Sequence, residues 1–505
     1  MSRINTNVSS LTAQRVLGQN NNSLSQSLSR LSTGLRINRG KDDPAGLIAS
    51  ENLRSEKAGI NAALKNAERA DQVVNIAEGG LQEVSNLLTE LQGLLTTSAN
   101  EAGLSESEKE ANQLQIDSIL QTIDRVAGAT SFQGTKLLNG NFDYQVTSVN
   151  AGVSDINVRG AKFDTASQAV EAIITQSAQQ GGVLLSFGGT SLDLNDTNGT
   201  FTIEIEGSKG NRELQFASGN TVAQIEAAID AVTDVTGVTA TVSGNVVKLI
   251  SEDFGDSEYV SVDVIDDGGQ AAGGGGSIAT YAGDFGDATS LTTEGTFDST
   301  AAANGIRDDG QDIGGTINGL QAVGNGKTLS VTSDFLDLEF TASTTASQTL
   351  GGISAFTITG GGADFQLASN IDIAGKTSLG IQDISTRKLG TSSLGYLDDL
   401  ASGKSFNVVD GNNLDDAQKI VAEAIDQVSS TRGRLGAFQK NTVGATIRSL
   451  GVALENTTAA ESIIRDTDFA SETASLTRNQ ILVQASTNTL SLANSQPQQV
   501  LALLG

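Results

Sequence analysis

Cysteine, histidine and tryptophan are absent from this 505-residue sequence, and proline occurs only at Pro44 and Pro497. Without cysteine the chain has neither a disulfide framework nor a thiolate nucleophile. Without histidine it lacks the commonest general base and metal ligand, which excludes Ser/His/Asp triads, Cys/His dyads and HExxH zinc sites. Carboxylate pairs, Ser or Lys nucleophiles and oxygen-bound Ca²⁺ remain chemically open. We expect no enzyme, no cofactor and no catalytic or metal-binding residues.

Long apolar runs are missing as well. No stretch reaches the roughly eighteen apolar residues of a transmembrane helix, so we expect no membrane-spanning segment. The first residues, MSRINTNVSSLTAQRVLGQ, contain no apolar h-region and no small-residue cleavage site. We therefore expect no cleavable secretory signal.

The formal net charge of −28 is unevenly distributed. Residues 141–400 contain 34 acidic and 10 basic residues, a net of −24, whereas the remaining 245 residues contain 25 and 21, a net of −4. This difference indicates solvent around the middle of the chain and neighbouring protein around its ends. The negative sign argues against nucleic-acid binding, which requires a cationic surface.

Four leucines near the N-terminus recur at helical spacing: Leu24, Leu28, Leu31 and Leu35. Ser, Gln and Arg lie between them, so they form an apolar seam on one side of a predicted helix. Gly34 and the polar run 38–43 then interrupt the helical pattern.

A second, much longer helix is predicted to begin at Asp43 and Pro44. The carboxylate is a favourable N-cap, and proline fits the first helical position, where no N–H is needed. From there to about residue 97 no proline interrupts the helix, and between Ile60 and Leu95 apolar residues recur at spacings of three and four, with Asp71 as the single polar one. Such a helix would extend roughly 80 Å and cannot bury its seam alone. The seam positions are Ile60, Leu64, Ala67, Asp71, Val74, Ala77, Leu81, Val84, Leu88, Leu91 and Leu95.

Partner helices are predicted at about 105–126, 414–455 and 459–493. In the second of these, the apolar set shifts by one residue between Phe438 and Val443, which locally relaxes a left-handed supercoil. The last helix has a sparse seven-residue series, and Pro497 is expected to end it. That series consists of Phe469, Leu476, Val483 and Leu490.

The middle of the chain has strand and turn signals instead. Residues 201–206 alternate strictly, Thr221 and Gln224 have capping-box spacing, and 238–250 reads as a hairpin. Together they predict a strand–helix–hairpin unit over about 201–265. A Gly-rich linker at about 268–276 and a β-rich block at about 327–370 follow. Acidic residues crowd 252–267; we interpret them as solvated surface, with Ca²⁺ binding as the alternative.

Several segments at the two ends resemble bacterial flagellin, the subunit of the flagellar filament. They are MSRINTNVSSLTAQ from Met1, LSRLSTGLRINRGKDDPAGLIASENLRSE from Leu28, IDRVAGATSFQGTKLLNG from Ile123, LGIQDISTR from Leu379, and RNQILVQASTNTLSLANSQPQQVLALLG near the C-terminus. The resemblance covers about 1–140 and 375–505. An unrelated coiled coil could share the apolar seams by chance, but it would not also share the helix-breaking residues around Gly34 and Gly128.

The resemblance implies a multidomain α+β fold: a long, coiled-coil-like helical bundle formed by both termini, with β-rich or mixed outer domains inserted between them. Segments 1–40 and 459–505 would form the inner core layer, and 41–140 with 401–458 the second layer. Segment 141–400 would form the outer domains. The four leucines and the four-residue C-terminal series would be the self-assembly seams.

The resemblance also implies function and partners. The chain would polymerise with itself into the extracellular filament for swimming, be exported unfolded, and fold its ends on assembly. Its partners would be the flagellar cap, hook-associated junction proteins, an export chaperone and the type III export apparatus. The alternative is a hook–filament junction protein, which shares helical ends and a β-rich middle.

Flagellins sensed by Toll-like receptor 5 present an arginine, a leucine and a glutamate from their first two long helices. The matching positions here are Glu90, Leu94 and Gln115. The leucine is retained, the arginine is replaced by an acid, and the glutamate loses its charge. Because an anchoring arginine pairs with a carboxylate, the reversal replaces attraction by repulsion. We expect weak or no receptor activation.

Overall fold

The structure is a computed structural model and describes residues 6–100, 103–163, 165, 167–194, 199–268, 277–281, 291–296, 306–409 and 413–504. Only the backbone is described at 277–281, 291–296 and 497–504. The chain divides into two compact units. The first comprises Met1–Gln72, Phe365–Lys376 and Ala437–Gly505, and the second comprises Val73–Asp364 and Thr377–Gly436.

Long helices occupy both ends of the chain, and short ones lie between. A 3₁₀ turn covers Leu397–Leu400 and a π-helix covers Phe438–Val443. None of the helices in the described part of the chain combines the length and apolar character that a bilayer crossing requires. The α-helices are α1 (Val8–Thr33), α2 (Pro44–Ser98), α3 (Glu106–Ala129), α4 (Val222–Asp230), α5 (Thr233–Thr236), α6 (Thr344–Gln348), α7 (Leu414–Ala437), α8 (Gly444–Arg465) and α9 (Phe469–Leu504).

The boundary between α1 and α2 follows from local chemistry, and the predicted end of α1 and start of α2 are confirmed. Gly34 ends α1 in the left-handed conformation (φ 74°), which glycine adopts without a steric penalty. Asp43 caps α2 through Oδ1, which accepts a hydrogen bond from the Gly46 N–H at 2.9 Å. A Cβ at Gly46 would lie 2.7 Å from Ile37 Cδ1, so a side chain cannot fit there without displacing buried Ile37.

The shift of the apolar set between Phe438 and Val443 corresponds to the π-helix. Its wider turn absorbs one extra residue: the Gly444 N–H donates to the Gln439 carbonyl, five residues earlier. Gln439 Nε2 donates to Asp71 Oδ1 at 2.8 Å, so the single polar residue of the α2 seam faces this turn. The insertion is therefore accommodated inside a continuous helical run.

Three helix ends differ from the sequence expectation. Helix α3 continues through Gly128 to Ala129, and α8 continues past residue 455 to Arg465, so that α9 begins at Phe469 and not at about 459. The largest difference concerns α9, which passes Pro497 and ends at Leu504. Proline removes the N–H that would bond to the Ala493 carbonyl, but that carbonyl accepts a hydrogen bond from Asn7 Nδ2 at 2.8 Å instead.

The middle of the chain is built of β-strands: β1 (Ser131–Phe132), β2 (Thr135–Lys136), β3 (Tyr144–Thr147), β4 (Val153–Ala161), β5 (Gln168–Gln176), β6 (Gly182–Ser186), β7 (Thr200–Gly207), β8 (Gly210–Ala217), β9 (Val238–Ser243), β10 (Val246–Ser251), β11 (Tyr259–Asp266), β12 (Ser277–Tyr281), β13 (Leu291–Thr296), β14 (Ile306–Asp309), β15 (Gly314–Ile317), β16 (Leu320–Asn325), β17 (Thr328–Thr332), β18 (Leu336–Ala342), β19 (Gly351–Gly361), β20 (Ala363–Gln366), β21 (Lys376–Leu379), β22 (Gly390–Thr391) and β23 (Gly395–Tyr396).

The largest sheet has eight antiparallel strands in the order β3-β19-β5-β15-β16-β17-β18-β4. Its two outer strands meet through Tyr144 on β3 and Ala161 on β4: the tyrosine hydroxyl donates to the Ala161 carbonyl at 3.2 Å and accepts from the Ala161 N–H at 2.9 Å. The sheet therefore curls around a core that contains Phe340 and Phe356.

A second β module interrupts this sheet between β5 and β15. It has a five-stranded sheet, β13-β12-β6-β10-β9, and a four-stranded sheet, β14-β11-β7-β8. Buried residues from both sheets and from α4 form one core. The Thr221 hydroxyl caps α4 by accepting from the Gln224 N–H, and the Gln224 side chain accepts from the Thr221 N–H. The strand, helix and hairpin lie where the sequence predicts them; 269–276 of the predicted linker lies outside the described residues.

The helical part of the second unit contains the C-terminal half of α2, α3 and α7. The α2 seam from Val74 to Leu95 is buried, and Arg432 on α7 donates to Glu78 at 2.9 Å. On α3, Asp124 accepts hydrogen bonds from the Thr386 N–H and hydroxyl at 2.9 and 3.0–3.1 Å.

Candidate assembly surface

Helices α1 and α9 lie antiparallel in the first unit. Near one end, Arg30 Nη1 lies 3.5 Å from Glu472 Oε2. Near the other end, the Ser10 hydroxyl donates to Asn494 Oδ1 at 2.6 Å. The N-terminal and C-terminal segments are therefore paired along nearly the whole length of α1.

Polar side chains set the register of this pair at regular intervals. Asn20 Nδ2 donates to the Ser486 hydroxyl at 2.6 Å, and Asn479 Nδ2 donates to the Ser27 hydroxyl at 3.1 Å. Asn20 and Ser27 are seven residues apart on α1, and Asn479 and Ser486 are seven residues apart on α9. The two contacts therefore lie two helical turns apart on the same face of each helix. Small and short polar residues are consequently buried along this pair. The buried ones are Ser10, Ala13, Ser27, Ser486 and Ala493.

The predicted seam residues flank this line of contact. On α1 and the residue after its cap, Leu24, Leu31 and Leu35 are half-buried, but Leu28 remains 50% exposed. On α9, three of the four residues, Leu476, Val483 and Leu490, are half-buried.

Phe469, the first residue of α9, is 57% exposed. The pairing of α1 with α9 thus brings the two predicted series to the same interface but leaves Phe469, the largest residue of the two series, mostly exposed. The polar line was not anticipated from the sequence. Its signal was a seven-residue recurrence of small and polar residues beside the leucines, which a search for apolar periodicity passes over.

Backbone hydrogen bonds connect the segment after α1 to the segment before α9. The Arg36 N–H donates to the Arg465 carbonyl at 2.7 Å, and the Thr467 N–H donates to the Gly34 carbonyl at 2.9 Å. Arg465 also donates to Glu51 on α2 at 2.9 Å, and this bond lowers the pKa of the Glu51 carboxyl. The two chain segments therefore leave the paired helices together.

Large apolar side chains remain exposed on the outward faces of α1, α8 and α9. An open groove of about 570 Å³ runs between α1 and α9 and is lined in part by Val8, Val16 and Leu482. The other described residues leave these apolar side chains of the three helices uncovered, which is the pattern of a protein interaction surface. They are Val8, Leu11, Val16, Leu28, Val452, Ile463, Phe469, Ile481, Leu482 and Leu492.

The other candidate sites lie in the second unit. Glu90 and Leu94 lie on α2 and Gln115 lies on α3; Glu90 and Gln115 are exposed and Leu94 is half-buried. In the acidic stretch 252–267, Glu252 pairs with Lys209 at 2.5 Å and Glu258 accepts from the Ser208 hydroxyl. The described residues contain no group of three or more acidic side chains placed to hold a metal ion.

Comparison with known proteins places both helical ends in one family. A family model for the bacterial flagellin N-terminal helical region matches residues 4–143, and one for the bacterial flagellin C-terminal helical region matches residues 418–504. The B-type flagellin of Pseudomonas aeruginosa is 29% identical over 99% of each chain. A flagellin of Salmonella choleraesuis is also 29% identical over 99% of each chain. The chain belongs to the bacterial flagellin family.

Membership explains why the two ends of the flagellin chain pair. The chain is a structural subunit of the flagellar filament, outside the cell, and nothing favours the hook-associated alternative. Among solved structures, the flagellar hook-associated protein 3 of Legionella pneumophila is 11% identical, covering 81% of this chain and 97% of its own, with a TM-score of 0.29. A score this low carries no argument about function.

Proposed function

We propose that the α1/α9 pair forms the innermost layer of the filament and that copies of the same chain cover its outward apolar side chains. The observation that carries this proposal is the set of exposed apolar residues on α1, α8 and α9, exemplified by Ile481 at 60% and Phe469 at 57% exposed. Burying a fully exposed aliphatic side chain contributes about 1.5–3 kcal/mol. Several such residues per subunit supply a large driving force for polymerisation.

The same geometry supports coupling of folding to assembly. The residues that α1 and α9 bury against each other are serines and alanines, so the pair gains little hydrophobic free energy within one chain. Ordering each backbone residue costs roughly 1–2 kcal/mol. We infer that the pair is marginal in the free monomer and becomes stable when neighbouring copies bind it.

The test compares two matched substitutions in the full chain. Ile481→Asp places a charge on the outward face of α9, whereas Leu350→Asp changes a residue of equal exposure (61%) in the β-rich middle. We expect seeded filament growth to be abolished by the first and unaffected by the second, with monomer circular dichroism unchanged. Normal growth of the Ile481→Asp protein would refute the assignment of this face.

Deleting either end provides a coarser test. We expect proteins lacking 1–40 or 465–505 to form no filaments, and filaments of normal length would contradict the assembly role of these segments. The division into an inner layer (1–40 and 459–505), a second layer (41–140 and 401–458) and outer domains (141–400) is part of this proposal. Cryo-electron microscopy of filaments tests the layer boundaries directly.

We also propose that the chain leaves the cell unfolded through the flagellar type III apparatus, accompanied by an export chaperone. In the assembled flagellum it would contact the cap and hook-associated proteins and would catalyse no reaction. A marginal terminal pair supports this route, because little free energy is needed to unfold it. Hydrogen exchange of the monomer should show fast exchange along α1 and α9 and slow exchange in the β-rich middle.

The receptor positions lead to a separate proposal: this chain activates Toll-like receptor 5 weakly or not at all. Glu90 and Gln115 are exposed and so available to a receptor, but Glu90 has the charge opposite to the expected arginine. We expect no reporter-cell response to the wild-type protein and a gained response for Glu90→Arg/Gln115→Glu. A wild-type response equal to that of a stimulatory flagellin would overturn this proposal.

A further inference from the structure

A second groove in the first unit has a different character from the apolar one. It holds about 500 Å³ and is lined by polar residues of α1 and of the segment that follows it. Three cations, Arg30, Arg39 and Lys41, line it together with a single carboxylate, Asp42. The apolar face described above does not include this groove.

The cations of the groove have unused hydrogen-bonding capacity. Arg30 Nε is buried without a hydrogen-bond partner among the described residues, although its Nη1 pairs with Glu472. Within the described part of the chain, Arg39 and Lys41 form no ion pair. The carboxylate of Asp42 is already engaged, since Oδ2 accepts from the Asn38 and Arg39 N–H groups at 3.2 and 2.9 Å.

The surrounding sequence reinforces the positive charge. Residues 1–41 contain six basic residues and no acidic one. The first unit as a whole has 15 basic and 12 acidic residues, a net of +3, whereas the second has 16 and 47, a net of −31. A groove with three cations in an otherwise acidic protein favours a carboxylate-bearing occupant.

We propose that this groove, defined by Arg30, Arg39 and Lys41, binds carboxylates of a second copy of the chain in the filament. The inference rests on the proposed function, because it assumes that first units of neighbouring copies touch. Candidate carboxylates are the exposed glutamates of the first unit that form no ion pair among the described residues: Glu56 and Glu68 on α2 and Glu455 on α8. The groove thus supplies the polar, register-selecting part of an interface whose apolar part lies on α1, α8 and α9.

The experiment reverses charge in the groove and beside it. Arg39→Glu/Lys41→Glu alters two groove residues, whereas Arg15→Glu alters an exposed cation of α1 that does not line the groove. Seeded growth from wild-type filaments is followed by light scattering. We expect the groove variant to elongate at least about tenfold more slowly than wild type and Arg15→Glu to stay within about twofold.

A complementary variant identifies the occupant. Adding Glu56→Lys, Glu68→Lys and Glu455→Lys to the groove variant should restore elongation when seeds of the same protein are used. Equal growth of the groove variant and Arg15→Glu overturns the proposal. Failure of the combined variant to recover also overturns it, as does elongation of the wild-type protein that requires added inorganic sulfate, which would identify a free anion as the occupant.

Folding and the broader function are monitored separately. Circular dichroism and size-exclusion chromatography of each monomer must match wild type, since Arg39 and Lys41 are exposed side chains. If the groove variant grows normally while Ile481→Asp does not, the groove assignment is wrong and the assembly role of α1 and α9 stands. If both grow normally, the proposed function is wrong as well.

Discussion

Asn7 makes two hydrogen bonds that can be separated by mutation. Its Oδ1 accepts from the Ser10 N–H at 3.0 Å and caps α1, and its Nδ2 donates to the Ala493 carbonyl of α9 at 2.8 Å. That carbonyl has no helical donor because Pro497, four residues later, lacks an N–H. Asn7→Asp keeps the capping oxygen but removes the donor to α9.

The expected magnitude follows from these contacts. Asn7→Asp leaves the Ala493 carbonyl without a donor and sets a carboxylate against it, which costs about 1–2 kcal/mol. The negative charge of the aspartate interacts favourably with the N-terminal end of the helix dipole, which stabilises α1 by roughly 0.3–1 kcal/mol. Asn7→Ala loses the cap as well, at about 1 kcal/mol more than the loss of the donor. Asn7→Asp should therefore be the milder of the two.

Pro497→Ala provides the matched background. An alanine at 497 supplies the N–H that bonds to the Ala493 carbonyl, so loss of the Asn7 donor then costs about 0.5 kcal/mol or less. The double-mutant cycle should show a coupling free energy of roughly 1 kcal/mol between positions 7 and 497. The assay is the critical concentration of filaments in increasing urea, together with hydrogen exchange along α1 in assembled filaments.

The reasoning fails if Asn7→Asp costs the same free energy with alanine at 497 as with proline. It also fails if Asn7→Asp leaves α1 hydrogen exchange unchanged while Asn7→Ala accelerates it, because the cap alone would then account for the contribution of Asn7. In the expected case both variants accelerate exchange in the Pro497 background, and only Asn7→Ala does so strongly in the Pro497→Ala background.

Other substitutions test the packing of each unit by urea unfolding of the monomer. Gly46→Ala should destabilise the start of α2 by about 1–3 kcal/mol, because its Cβ would lie 2.7 Å from Ile37 Cδ1. Asp71→Ala should cost about 1–2 kcal/mol by freeing Gln439 in the π-helix, whereas Asp71→Asn should cost less. Burial raises the pKa of Asp143, so its contribution favours folding at acidic pH and is lost as pH rises through that pKa. Asp143→Asn should therefore stabilise the protein at pH 7 by about 1 kcal/mol or less and leave stability below pH 4 unchanged.

Features that depend on neighbouring residues were predictable. Asp43 and Pro44 specify a helix start, Gly34 specifies a helix end, and Thr221 with Gln224 specifies a cap, because each acts on backbone groups within four residues. The one-residue shift of the apolar positions before Val443 was also predictable, because one extra residue changes the spacing of a periodic apolar pattern at the point where it is inserted.

The polar contacts between α1 and α9 were not predictable by those rules. Apolar periodicity selects leucines, but Ser27 and Ser486 are among the residues buried between these two helices, and each accepts a hydrogen bond from an asparagine of the other helix. Which residues meet depends on the pairing of segments more than 450 residues apart, for example Ser27 with Asn479 at a separation of 452.

Pro497 is a second position at which a local rule gives the wrong prediction. A local rule predicts that proline ends the helix, since the helix loses one hydrogen bond there. The structure continues to Leu504 because Asn7, at the other end of the chain, satisfies the carbonyl that proline leaves unbonded. The residues around 497 therefore do not by themselves indicate that the helix continues.

The order of residues along the chain was enough to establish helices at both ends, a β-rich acidic middle and the lack of histidine and cysteine chemistry, because propensity, capping and composition are local. Tertiary structure alone decided the antiparallel register of α1 and α9 and the insertion of one β module between neighbouring strands β5 and β15. Both depend on hydrogen bonds and packing between distant segments, whose free energies appear only when the chain has folded.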